Sequence, residues 1–191
     1  MRTVKIILIL LMPLLFSCQN RSGENNTAKN DDNPMIVKDA EVVAEDEPQS
    51  VEDFVKEAAS GGLMEVELGR YAQQNALNER VKNFGAMMVR DHQKANDELK
   101  SIATGKNIPI PSTMENNHLN KVNDLKKESG ANFDKKYIIE MVEDHDNDVD
   151  KFRKQAENSK DEEIKAFAAK TLEILLIHQD SAKSIQSALN R

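Results

Sequence analysis

Wound at about 100° per residue, the apolar residues from position 50 onward gather on four long stripes, separated by polar or helix-breaking stretches. The first runs through Val51, Phe54, Val55, Ala58, Ala59, Gly62, Val66, Gly69, Ala72 and Ala76. Ser50 stands before it as a helix N-cap, with Asp53 three residues on in the position of a capping-box acid. A helix from there to about Ala76 is predicted. Asn78 can cap a second helix, from about Glu79 to Ala103, whose inward arc holds Val81, Phe84, Gly85, Met88, His92, Ala95, Leu99 and Ile102. A third helix is expected over about Asn132 to Asn158, with Tyr137, Ile138, Met141, His145, Val149, Phe152 and Ala156 inward. The fourth starts near Asp161-Glu162-Glu163, acids well placed at a helix N-terminus. It runs to about Leu189 along Ile164, Ala168, Thr171, Leu175, His178, Ala182, Ile185 and Leu189.

The links between these helices differ in length, and that sets the architecture. The first and second are joined tightly, as are the third and fourth, so each pair should be antiparallel. Between the second and third, Gly105 and the prolines Pro109 and Pro111 stop the helix. Residues 105–131 then form one long connection, in which 112–129 can make a short amphipathic helix on Met114, Leu119, Val122 and Leu125. A four-helix bundle with one long connection is the ferritin-like arrangement rather than simple up-and-down. Composition agrees with an all-α chain: aromatics make up 4%, Trp is absent, and there are 7 Gly and 5 Pro in 191 residues. The net charge of −7, with no basic face carrying aromatic stacking partners, argues against nucleic acid.

The N-terminal quarter is organised differently. Arg2 and Lys5 precede an apolar run from Ile6 to Phe16, too short to span a bilayer and suited to a secretory signal. Leu15-Phe16-Ser17-Cys18 follows, with a small residue before the chain's one cysteine, and this resembles a bacterial lipoprotein signal. That resemblance implies a signal peptide over 1–17, lipidation of Cys18, and attachment of the mature protein to a membrane of the cell envelope. Gln19 after the cysteine resembles lipoproteins sent to the outer membrane, facing the periplasm or the cell surface. Residues 18–49 lack apolar periodicity and are dominated by Asn, Asp and Glu, as in a disordered acidic tether. The folded domain is then expected over 50–190.

Against this frame one short pattern is written twice. Met88-Val89-Arg90-Asp91-His92 returns as Met141-Val142-Glu143-Asp144-His145, each with an aromatic eight residues before the histidine (Phe84, Tyr137) and a large apolar residue seven after (Leu99, Phe152). Each long helix has one ionisable residue near the middle of its apolar arc: Glu65, His92, His145 and His178. Glu65 is flanked by Gly61, Gly62 and Gly69, whose expected use is close approach of a neighbouring helix, while Glu67 falls on the opposite face. Residue counts from the turns put Glu65 and His92 at similar height. They leave His178 offset from His145 by about one turn, so its place in the same layer is open. Of the four histidines only His118, on the connection, stands outside the set.

Buried carboxylates and imidazoles are costly unless paired or bound to a metal, and side chains converging from facing helices are how bundles build metal sites. Glu65, His92, His145 and His178 are therefore candidate ligands for one transition metal (Zn, Cu, Fe or Mn), with Asp148, Met88 and Met141 as further contributors. The competing reading is a hydrogen-bonded polar network that fixes helix register, in a non-enzymatic interaction or stress-related envelope module. On that reading Met88 and Met141 are core filler, and Asp91 and Asp144 are edge residues in hydrogen bonds or salt bridges. No Ser/His/Asp order, phosphate-binding loop, dinucleotide fingerprint or Cys/His zinc spacing occurs, and no catalytic residue is assigned.

Several blocks resemble an exported bacterial domain of unknown function. They are Phe54-Val55-Lys56-Glu57-Ala58-Ala59, Gly61-Gly62-Leu63-Met64-Glu65-Val66-Glu67-Leu68-Gly69, Val81-Lys82-Asn83-Phe84-Gly85, Phe133-Asp134-Lys135-Lys136-Tyr137, Ile164-Lys165-Ala166-Phe167-Ala168 and the two Met-Val-x-Asp-His copies. Members of that family are often labelled outer-membrane proteins and grouped with the ferritin-like superfamily, which implies a ferritin-like four-helix bundle over about 50–189. The superfamily's di-iron site uses a Glu from each of two helices and a Glu-x-x-His from each of the other two. Here Val89, Val142 and Leu175 stand three residues before His92, His145 and His178, and only Glu65 matches a superfamily carboxylate. A His-rich site for a single metal is expected instead.

Overall fold

Ser50 Oγ accepts a hydrogen bond from the Asp53 backbone N–H at 3.1 Å, and α1 (Val51–Asn75) begins there. The structure is a computed structural model that describes residues 49–191; the expected signal segment, Cys18 and the tether up to residue 48 lie outside the described residues. Asn78 Oδ1 accepts from Arg80 N at 2.9 Å at the head of α2 (Glu79–Gly105). Asp161 Oδ1 accepts from Glu163 N and Ile164 N at 3.1 and 3.2 Å and opens α5 (Glu162–Leu189). Each of these caps satisfies N–H groups that a helix start leaves without partners. α3 (Asn116–Leu125) is shorter than the apolar pattern suggested, and α4 (Gly130–Asn158) starts two residues earlier than expected. Gly130, at φ +59°, supplies the left-handed turn into α4. α2 runs through Gly105 and stops at Lys106 and Asn107, the latter at φ +56°.

Side-chain ties fix the directions of the helices. Asp134, near the start of α4, accepts from the backbone N–H groups of Leu77 and Asn78 at 3.1 and 2.8 Å, so α4 begins at the end where α1 turns into α2. The chain must therefore travel from the far end of α2 back along the bundle. α3 makes part of that journey against α1, held by a hydrogen bond between Ser60 Oγ and His118 Nδ1 at 2.6 Å and by Tyr71 Oη donating to Lys126 O at 3.4 Å. The two hairpins, α1–α2 and α4–α5, pack with α2 against α5 and α1 against α4. α2 and α4 thus run parallel on one diagonal and α1 and α5 on the other, and every neighbouring pair is antiparallel. This is the expected all-α, ferritin-like four-helix bundle with a short helix in its long connection.

The apolar stripes close into two clusters. One, around Leu68, Phe84, Met88, Phe133, Tyr137 and Met141, fills the end marked by Asp134. The other, around Phe54, Leu99, Phe152, Phe167 and Leu175, fills the opposite end. Between them, at mid-length of all four long helices, lies a polar layer. Close approach of α1 and α2 near this layer depends on a glycine pair: a Cβ on Gly69 would stand 2.7 Å from the Gly85 carbonyl oxygen, and one on Gly85 would stand 2.7 Å from that of Gly69. At Gly62 the obstacle is the side chain of Asn96, whereas Gly61 has only His118 Cε1 at 3.9 Å. The close-approach expectation thus holds for Gly62 and Gly69 but not for Gly61.

Candidate functional site

Glu65, His92, His145 and His178 meet in the polar layer, all buried. His178 does join it, although it lies about one turn further from its hairpin than His145 does. Helical Cα–Cβ bonds lean toward the helix N-terminus. In antiparallel partners this tips the side chain on the first helix away from the turn and that on the second toward it, which closes the offset. The same lean brings His92 level with Glu65.

The contacts are short and mutually dependent. His92 Nδ1 lies 2.6 Å from Glu65 Oε2, His145 Nε2 lies 3.6 Å from Glu65 Oε1, and His145 Nε2 lies 3.3 Å from His178 Nδ1. The three rings are 5.2 to 5.7 Å apart between centroids. Outward bonds assign the protons. His145 Nδ1 faces the Met141 carbonyl oxygen at 2.9 Å; a carbonyl only accepts, so this nitrogen carries the hydrogen. His178 Nε2 faces Asp91 Oδ2 at 3.0 Å. Burial raises the Asp91 carboxyl, but hydrogen bonds from Arg90 and His178 more than offset this and hold it ionised below its ordinary value. His178 Nε2 is therefore also a donor.

Burial pushes all three imidazoles down to about 4. Neighbouring carboxylates oppose the shift, while the positive forms of the other rings add to it at His145 and His178. At neutral pH the three are neutral and each holds one proton. With those of His145 and His178 used outward, His145 Nε2 and His178 Nδ1 point lone pairs at each other across 3.3 Å. Glu65 Oε1 and His92 Nε2 are buried beside them with no hydrogen-bond partner among the described residues. The centre of the layer is rich in acceptors and short of protons.

A second group adjoins it. Carboxylate oxygens of Glu65, Asp144 and Asp148 lie within 4.8 Å of one another, as do the ligating nitrogens of His92, His145 and His178. Burial drives the Glu65 carboxyl up to about 8, with His145 and Lys121 opposing and Asp144 adding to the shift. Asp148 is raised well above its ordinary value by burial and then by Asp144 and Glu65. A cavity of about 20 Å³, room for one water or ion, touches Glu65, His92, Asp148 and Thr171 on the side of the Phe152 cluster.

Of the further candidate ligands, Asp148 is thus part of the polar layer. Met88 and Met141 are fully buried in the apolar cluster with Phe84 and Tyr137. Asp91 is an edge residue that bonds to Arg90 and His178, as the pattern suggested. Asp144 is more deeply placed than an edge reading implies, at 7% exposure. Its spacing of four from Asp148 on one helix was the signal that puts the two side by side. Glu67 points outward to Lys126. His118 stays outside the layer, tied to Ser60.

Fold and site together define an all-helical bundle with a buried glutamate–histidine layer at its centre. The model of DUF4142, a domain of unknown function, matches residues 38–185, and the chain belongs to that family. Among solved structures it is similar to a DUF305 fragment from Deinococcus radiodurans, with a TM-score of 0.60 and 11% sequence identity, over 75% of this chain and 99% of that one. At that identity the likeness speaks for the fold alone. Comparison with curated proteins gives no match. No described helix is long and apolar enough to cross a membrane.

Proposed function

We propose that this protein is a lipid-anchored component of the cell envelope that binds one transition metal in its bundle core through Glu65, His92, His145 and His178. The observation that carries the metal reading is the 3.3 Å approach of His145 Nε2 and His178 Nδ1, on rings whose other nitrogens face the Met141 carbonyl and Asp91. Two neutral imidazoles whose N–H groups are donated outward to Met141 and Asp91 repel at that distance, and a cation between them turns the repulsion into two bonds. Tetrahedral coordination with metal–nitrogen bonds of about 2.0–2.1 Å spaces its ligands by roughly 3.3–3.4 Å, and the two nitrogens are 3.3 Å apart. Outward hydrogen bonds from ligating imidazoles to a carbonyl and a carboxylate are the usual support of such sites. The unpaired Glu65 Oε1 and His92 Nε2 add further donors. A set dominated by imidazole favours Zn, Cu or Fe ahead of Mn. Binding would release the proton that Glu65 holds in the metal-free core.

Elemental analysis of the full chain, exported and purified without chelator, tests this. Near-stoichiometric metal, lost from a His92→Ala/His145→Ala variant that remains helical, is the expected result. Ligand binding to the folded state alone stabilises by about 4 kcal/mol at a thousandfold excess over Kd, so the melting temperature should climb with added Zn or Cu. Substoichiometric metal, with no melting shift on adding Zn, Cu, Fe or Mn, would leave the layer as a scaffold network and turn attention to surface partners. The anchor rests on Arg2, Lys5, the apolar run Ile6 to Phe16 and Cys18, with residues 18–49 as tether. Cys18→Ser should move the protein from the membrane to the soluble envelope fraction and abolish labelling by a fatty-acid probe; membrane association unchanged by Cys18→Ser would reject it.

A further inference from the structure

We propose that Glu65, Asp144 and Asp148 form a second cation site, made of oxygen alone, that takes a hard divalent ion such as Mn²⁺ on the α1–α4 side of the core. α2 and α4 run parallel on a diagonal and carry the same Met-Val-x-Asp-His pattern, so a half-turn about the bundle axis exchanges them and exchanges α5 with α1. Asp91 on α2 then corresponds to Asp144 on α4, and His178 on α5 to Glu65 on α1. On the α2–α5 side the aspartate meets an imidazole N–H, and the pair is satisfied at 3.0 Å. On the α1–α4 side the equivalent aspartate meets another acid. Four residues further along, α2 carries Ala95 whereas α4 carries Asp148, a third carboxylate. One half of the layer is satisfied internally; the other gathers three carboxyl groups within reach of one another.

Two lysines reach the rim of this trio, and each is shared with an acid outside it. Lys121 Nζ lies 3.3 Å from Asp144 Oδ1 but is drawn to Glu140 at 2.5 Å. Lys151 Nζ lies 4.0 Å from Asp148 Oδ1 and is held closely by Glu57. Asp144 Oδ2 and Glu65 Oε1, on side chains more than nine-tenths buried, have no hydrogen-bond partner among the described residues. Oxygens within 4.8 Å of one another can share one ion, since hard divalent cations hold carboxylate oxygens at about 2.0–2.6 Å. The Asp148 side chain, 21% exposed, gives the site a route to solvent that the imidazoles of His145 and His178 lack. The donor set selects ions of the Mg, Ca and Mn group. None of this requires metal at the imidazoles.

The test uses the full chain in detergent, stripped of metal and titrated with MnCl₂, with free Mn²⁺ read by electron paramagnetic resonance. One Mn²⁺ per chain is expected in the native protein and in His178→Gln, which removes an imidazole but keeps a donor toward Asp91. Asp148→Asn should weaken binding at least tenfold while raising the melting temperature of the metal-free protein, because it removes one of three crowded acids. A purely structural Asp148, serving Lys151, predicts the reverse: a lower melting temperature. The proposal is overturned by no Mn²⁺ bound at millimolar concentration, or by equal binding in Asp148→Asn. It is also overturned by loss of binding in His178→Gln as complete as in Asp148→Asn, which would put the manganese among the histidines. Circular dichroism checks that each variant is folded, and zinc content measured separately keeps the imidazole reading independent of the outcome.

Discussion

Replacing Gly69 by alanine sets two effects of known sign against each other. Within a helix, Gly→Ala gains about 1 kcal/mol from propensity. At Gly69 the new methyl would stand 2.7 Å from the Gly85 carbonyl oxygen and 3.1 Å from both Met88 Cβ and Val89 Cγ2. The first of these is backbone, which cannot rotate aside, so α1 and α2 must part by several tenths of an ångström. Overpacking of this kind costs about 1–3 kcal/mol. Separation also loosens the fully buried contacts of Leu68, Ala72 and Met88 beside it. The expected net is a loss of about 1–2 kcal/mol. Gly61→Ala is the internal control: with nothing nearer than 3.9 Å it keeps the propensity gain and should stabilise by about 0.5–1 kcal/mol. Urea unfolding followed by circular dichroism, without metal, reads both. Stabilisation by Gly69→Ala equal to that of Gly61→Ala would refute the claim that the glycine pair exists for helix approach.

Three further expectations follow from named contacts. For the metal-free protein, imidazoles that fall from 6.5 to about 4 on folding contribute stability that is present above pH 6.5 and lost as pH falls toward 4, about 2 kcal/mol each by pH 5. Glu65, raised from 4.5 to about 8, costs stability as pH rises between those values. Stability measured in chelator should therefore peak near neutrality and fall faster on the acid side; a maximum near pH 5 would contradict the neutral-imidazole assignment. Asp134→Ala strips acceptors from the N–H groups of Leu77 and Asn78. It should cost about 2–3 kcal/mol, with hydrogen exchange accelerating first at the α1–α2 turn. Asp91→Asn removes the charged acceptor that orients His178, and on the metal reading zinc affinity, measured by chelator competition, should fall roughly tenfold or more.

The bundle was legible because each long helix writes its buried face as a stripe, and because only the link between α2 and α4 is long. The members of the central layer were legible too, since an ionisable residue in an apolar arc is conspicuous. Their exact level was not: counting along helices places Cα atoms, whereas the lean of the side chains decides where His178 and His145 meet. Contacts between segments far apart in sequence were equally hidden. Asp134 looked like one more polar residue at a helix start, yet it caps the turn of the other hairpin. Ser60 falls on the face opposite its helix's apolar stripe, with no sign in the sequence of its bonds to His118 and to the Glu115 N–H. Asp144 falls at the rim of its helix's arc, and only the arrival of Glu65 from α1 makes it interior.

Because every neighbouring pair of long helices is antiparallel, each end of the bundle carries two helix N-termini and two C-termini. The positive and negative ends of the backbone macrodipoles therefore cancel pairwise at both poles, and their influence fades within a turn of each end in any case. The polar layer, at mid-length, experiences no axial field from the backbone. The charge it prefers is set by burial and by local contacts, which leaves its affinity adjustable by single residues around its girdle, such as Asp91, Lys121 or Lys151, without any change to the scaffold.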